Sequence, residues 1–155
     1  MDLPIDKMNV QTSMQEIAPL ITGLIKDGIP VSLTVTGNSM FPLFRHNKDK
    51  VVLVNPDNRN LKKGDIPLYK RDNGQYILHR IVGMEGNTYK MAGDAQTDIE
   101  SGIRHDNIIA VVSGFYRNGK YISCENTLYK IYTQLWLICL PIRKYLVKVC
   151  RHIIK

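Results

Sequence analysis

Apolar residues fall on two different periods along this chain. From Met14 to Ile25 they recur at helical spacing, as Met14, Ile17, Leu20, Ile21, Leu24 and Ile25, which predicts an amphipathic helix over residues 11–27. Gly28 and Pro30 supply its stop, while Pro19 sits inside the span and is a candidate for its true start. From Val31 the period shortens to two. Val31-Ser-Leu-Thr-Val-Thr36 alternates apolar and hydroxyl residues, and Lys50–Val54, Ile66–Lys70, Tyr76–Val82, Asn87–Met91 and Ile108–Val112 read as further short strands. Asn73-Gly74 and Asn118-Gly119 mark hairpin turns, because both residue types accept the positive φ angles that a tight turn requires. From Thr127 the helical period returns in Leu128, Ile131, Leu135, Ile138, Ile142, Leu146, Val149 and Ile153. The pattern predicts a mainly β body of short strands and hairpins (31–126), preceded by a short helix (1–30) and followed by an amphipathic helix (127–155), with no repeat or linker.

Composition changes this picture in one respect. With 155 residues and 44% hydrophobic content the chain is one domain able to bury its own core. Its formal charge of +7 invites a nucleic-acid or anionic-membrane reading. Residues 1–126 carry a net +1, whereas 127–155 carry +6 from Lys130, Arg143, Lys144, Lys148, Arg151 and Lys155, without an acid. The body is nearly neutral and shows no basic-aromatic platform, so no nucleic-acid partner is expected. The basic segment, with Tyr132, Trp136 and Tyr145, suits an interfacial helix on an anionic membrane. Packing on the body or on a partner subunit is the equal alternative.

Cys124, Cys139 and Cys150 form no C-x-x-C pair and no even framework, so free thiols are expected and no metal or other cofactor is called for. The N-terminus MDLPIDKMNV lacks the apolar stretch of a signal peptide. The longest apolar run, Leu135–Leu140, is cut by Pro141 and is far short of a bilayer span. These features predict a protein of the cytoplasm, or peripheral at the cytoplasmic membrane face.

Four short segments carry candidate chemistry. Gly37-Asn38-Ser39-Met40-Phe41-Pro42 ends a strand and can present a serine hydroxyl. Lys62-Lys63-Gly64-Asp65-Ile66 turns into a strand. His79-Arg80-Ile81-Val82 places an imidazole in a β run, and Gly93-Asp94-Ala95-Gln96-Thr97-Asp98 is an acidic turn. A serine becomes nucleophilic when a base removes its proton, histidine titrates in the right range, and a carboxylate can fix its tautomer. Singly, each segment has a plainer reading as turn chemistry or a structural histidine.

Taken in order, the four segments resemble the S24/S26 peptidase superfamily, the signal-peptidase-like serine proteases, over about Val31 to Gly114. The pair His79-Arg80 is similar to the Ser-His branch of archaeal, endoplasmic-reticulum and sporulation-type enzymes rather than to the lysine-using branch. The resemblance implies a signal-peptidase-like or LexA-type β-ribbon fold. It implies a serine endopeptidase that removes a signal or leader segment from a precursor peptide, with Ser39 as nucleophile and His79 as general base. Asp98 would support His79, with Asp94 as the alternative. Asn38, Met40 and Pro42 would serve the oxyanion hole or substrate.

Three features depart from the family pattern. Gly37 stands where many relatives carry a hydroxyl, which leaves the oxyanion to backbone N–H groups such as that of Ser39. Pro67 follows Gly-Asp-Ile and suggests an edge strand. The helix near residues 14–27 stands where the family carries a membrane anchor. A catalytically silent β domain that binds a peptide or a membrane-bound partner by strand addition is the competing reading. A self-cleaving regulator fits less well, because the base is a histidine and no DNA-binding motif precedes the body.

Overall fold

The computed structural model describes residues 13–58 and 60–154. Helix α1 (Met14–Lys26) buries Ala18, Ile21 and Ile25 and ends at Gly28, whose φ of 76° is a left-handed helix stop. Pro19 lies inside the helix rather than at its start. Residues 11 and 12 of the expected helix, and the rest of the first twelve, lie outside the described residues.

Nine strands follow among the described residues. They are β1 (Val31–Thr34), β2 (Lys50–Val54), β3 (Pro67–Lys70), β4 (Tyr76–Leu78), β5 (Arg80–Glu85), β6 (Thr88–Ala92), β7 (Glu100–Arg104), β8 (Ile108–Arg117) and β9 (Lys120–Ser123). The protein is mainly β, built from short strands and hairpins as the apolar pattern predicts. The larger sheet has the order β1-β2-β8-β3-β4, with β9 paired to β8, and the smaller has the order β5-β6-β7. Strand β8 is the spine: its first half pairs with β3, its second with β2, and its end with β9. This leaves β1 and β4 as the outer strands of that path.

Two main apolar cores result among the described residues, and a smaller cluster joins Val82 and Ala92 to Leu137. One packs α1 against the larger sheet around Phe44 and Phe115, whose rings meet edge to face at 5.3 Å. The other, between the sheets, centres on Tyr69, Ile81, Met91 and Val111.

The structure revises three expectations. The run Tyr76–Val82 is two strands broken at His79, where the chain leaves one sheet for the other. Strand β3 is interior, between β8 and β4. Pro67 is its first residue, the place in an inner strand where a missing N–H costs least. The expected C-terminal helix is two, α2 (Thr127–Ile138) and α3 (Arg143–Ile153), joined by a 3-10 turn over Leu140–Ile142 that contains Pro141. Asn126 caps α2 by accepting from the N–H groups of Leu128 and Tyr129.

The face of α2 and α3 that packs on the body is not the predicted apolar stripe. Thr133, Trp136, Leu137, Arg143 and Val147 are buried, while Leu128, Ile131, Leu135, Ile138, Ile142, Val149 and Ile153 are exposed. Trp136 is therefore a body residue rather than an interfacial one, and Arg143 is buried rather than solvated. No helix among the described residues is long and apolar enough to cross a membrane, and no cluster of His, Cys, Asp and Glu there is suited to a metal ion. None of the three cysteines, all half-buried, forms a disulfide among the described residues.

Candidate active site

The nucleophile candidate sits in a loop held at both ends. After β1, Gly37 takes φ 83° and donates its N–H to His46 Nδ1 at 2.8 Å. The Phe41 N–H closes a turn on the Asn38 carbonyl at 3.1 Å, and the Phe41–Pro42 peptide is cis. The far end of the loop is anchored by Asp49, which is fully buried and accepts from the Arg45 N–H (2.9 Å), Arg45 Nη2 (2.7 Å) and Arg117 Nη2 (3.1 Å). Burial pushes the Asp49 carboxyl up, but the Arg45 and Arg117 hydrogen bonds outweigh it and hold the group below the usual carboxylate range.

Ser39 is half-buried, and its carbonyl accepts the Ala95 N–H at 2.8 Å, which staples the loop to the segment after β6. It lies beside an apolar groove of about 190 Å³ lined by Leu33, Val35, Met40, Leu68 and Leu78 among others. Both outer strands, β1 and β4, contribute to that groove, as does Met14 of α1. Of the other residues expected to meet substrate, Met40 is a buried core residue on the groove wall, and Asn38 is exposed. Pro42 does not line the groove. It borders a separate apolar cavity beside α2 and α3.

His79 occupies the junction between β4 and β5 and is only 5% exposed. It approaches Ser39 across Gly93. A methyl group on Gly93 would lie 2.5 Å from the Ser39 carbonyl oxygen and 3.1 Å from His79 Nε2, so a glycine is required for the two to stand this close. No hydrogen bond joins the Ser39 hydroxyl to His79. Burial, assisted by the positive charge of Arg71, pushes the imidazole pKa down to about 4. The ring is therefore neutral at pH 7, the form a general base requires.

The group behind the ring is not the expected aspartate. The Tyr69 hydroxyl lies 3.5 Å from His79 Nδ1, at the long end of hydrogen bonding, and donates to Glu100 Oε2 at 2.8 Å. Glu100 is gripped by Arg71 through Nε (2.9 Å) and Nη2 (2.8 Å). The Tyr69 hydroxyl, directed to Glu100, faces His79 Nδ1, and His79 Nε2 lies on the side of Gly93. Burial, then the bond to Glu100, raises the Tyr69 pKa, which keeps the hydroxyl protonated.

Asp94 is turned away. It is fully buried and forms a two-point ion pair with Arg80, Nε to Oδ1 and Nη2 to Oδ2, each at 2.8 Å. Its charge reaches His79 only through space. Asp98 is exposed on the rim of a polar cavity shared with Arg71, His79, Gln96 and Glu100, and makes no hydrogen bond to the imidazole.

The C-terminal helices complete the support. Arg80 Nη1 also donates to the Gly64 carbonyl (2.9 Å) and to Thr133 Oγ1 (3.2 Å) of α2. Trp136 Nε1 donates to the Asp94 carbonyl at 3.2 Å, and Arg143 Nη1 to the Gly93 carbonyl at 3.2 Å. Gly64, at φ 102°, lets α2 approach so closely that a methyl there would meet Thr133 Cγ2 at 2.9 Å. Helices α2 and α3 thus brace the loop beside His79.

Sequence reasoning missed Tyr69, Arg71 and Glu100. The only trace is a tyrosine and an arginine two apart in a strand, and such pairs are common on solvent-facing strands. No family model matches the chain, and neither does any curated protein.

Proposed function

We propose that this chain is a serine endopeptidase of the signal-peptidase-like S24/S26 type, acting on a signal or leader segment of a precursor peptide. One observation carries the reading: the Ser39 backbone carbonyl and the Nε2 of a neutral His79 both lie against Gly93, and Ser39 lines an apolar groove bordered by two outer strands. A substrate segment adding to such an edge in extended form would bring its scissile carbonyl to the end of β1, where Ser39 lies. His79 Nε2 takes the Ser39 proton as the hydroxyl attacks, and Tyr69 and Glu100 stabilise the resulting imidazolium. The protonated imidazole then delivers its proton to the leaving amine, and water repeats the cycle on the acyl-enzyme. The Ser39 N–H, which no described residue engages, is the available oxyanion donor.

The test is hydrolysis of leader-bearing peptides by the wild type, Ser39→Ala and His79→Ala. Loss of cleavage in both variants, with binding kept in Ser39→Ala, is the expected result. Binding without cleavage by the wild type would favour the silent strand-addition domain.

A further inference from the structure

The outer face of the C-terminal helix pair has no role in the site. Four apolar side chains of α2 (Leu128, Ile131, Leu135 and Ile138) are at least half exposed, and so are Ile142, Tyr145, Val149 and Ile153 at and along α3. Each set recurs at three and four, so each forms a stripe. Both stripes point away from the faces that carry Thr133, Trp136, Arg143 and Val147 into the body. Single exposed leucines are unremarkable, but an apolar stripe on each of two successive helices marks a contact surface.

Charge selects the occupant. Lys144, Lys148 and Arg151 flank the α3 stripe in solvent, while Arg143 is buried and Lys130 is paired with Glu125. Residues 127–155 hold no acidic side chain at all. A second copy of the chain would set these like charges against each other. An anionic lipid surface neutralises them while its acyl region takes the stripes.

We infer that the α2–α3 face docks the protein on an anionic membrane. The inference does not rest on the catalytic reading, and Ser39→Ala is expected to bind vesicles as the wild type does. The experiment is flotation of the full chain with vesicles of phosphatidylcholine alone and of phosphatidylcholine mixed with phosphatidylglycerol.

Binding to the anionic vesicles at least roughly tenfold tighter than to the neutral ones is expected, weakening as salt rises. The triple variant Lys144→Gln, Lys148→Gln, Arg151→Gln loses about 100-fold in affinity. Leu135→Asn with Val149→Asn loses binding to both vesicle types while keeping the wild-type Tm, since both side chains are exposed. No binding of the wild type to anionic vesicles overturns the inference. So does binding untouched by both variant sets, and so does a solution dimer that Leu135→Asn with Val149→Asn dissolves.

Discussion

Two arginine–carboxylate pairs flank His79, and they differ in almost everything but their chemistry. Arg80–Asp94 is fully buried, bidentate, and tied to α2 through Thr133. Arg71–Glu100 is nearly one-third exposed on both sides and reaches the imidazole through Tyr69. A buried pair is costly to break because it leaves an uncompensated charge, whereas an exposed pair contributes little to folding. The first pair therefore holds the scaffold around His79, and the second acts on the proton affinity of its imidazole. Asp94, expected as a possible partner of His79, is taken up by Arg80, and the carboxylate that reaches the ring through Tyr69 is Glu100 of another strand.

Breaking the buried pair should have the largest effect. Asp94→Ala is expected to cost about 3–5 kcal/mol and to lower the thermal midpoint sharply, measured by calorimetry. Glu100→Gln should change stability by no more than about 1 kcal/mol. Equal losses in the two variants would erase the distinction between the pairs.

The next effect is pH-dependent. His79 has a folded pKa of about 4 against about 6.5 in the unfolded chain. The unfolded state binds more protons between those values, so the stability due to the neutral ring is complete above pH 6.5. It is lost as pH falls toward 4, by about 3 kcal/mol. Denaturant titrations from pH 7 to 4 should show this slope, and His79→Gln should flatten it.

Gly93→Ala tests the convergence itself. The added methyl meets the Ser39 carbonyl oxygen at 2.5 Å and forces Ser39 and His79 apart. A fall of roughly 100-fold in kcat/KM is expected for a displacement of about 1 Å.

Tyr69→Phe keeps the ring but removes the hydroxyl facing Nδ1, and a loss of about tenfold in kcat with unchanged KM is expected. The smallest effects separate the charges. Arg71 lowers the His79 pKa and Glu100 raises it. The acid limb of kcat/KM should move up in Arg71→Gln and down in Glu100→Gln, and shifts of the same sign would contradict the assignment.

Much of the fold was legible because it rests on local signals. The change of apolar period at Val31 and Thr127, the Gly28 stop and the Asn118-Gly119 turn each act over a few residues. What escaped depends on distant partners. The break at His79 comes from a switch between sheets. Strand β7, Glu100-Ser-Gly-Ile-Arg104, has too little apolar alternation to announce itself. On α2 and α3 the larger hydrophobic stripe faces solvent, because Thr133, Trp136 and Arg143 hydrogen-bond to Arg80, Asp94 and Gly93, and a buried polar group left unpaired is penalised more than an exposed leucine. Ser39 and His79 were readable as residue types suited to their chemistry, and their approach across Gly93 was not.

The most direct measurement is proteolysis of a proteome-derived peptide library, with new N-termini read by mass spectrometry, for the wild type, Ser39→Ala and His79→Ala. The account predicts a set of termini produced by the wild type and absent from both variants. No wild-type termini, or the same termini in all three samples, would contradict it.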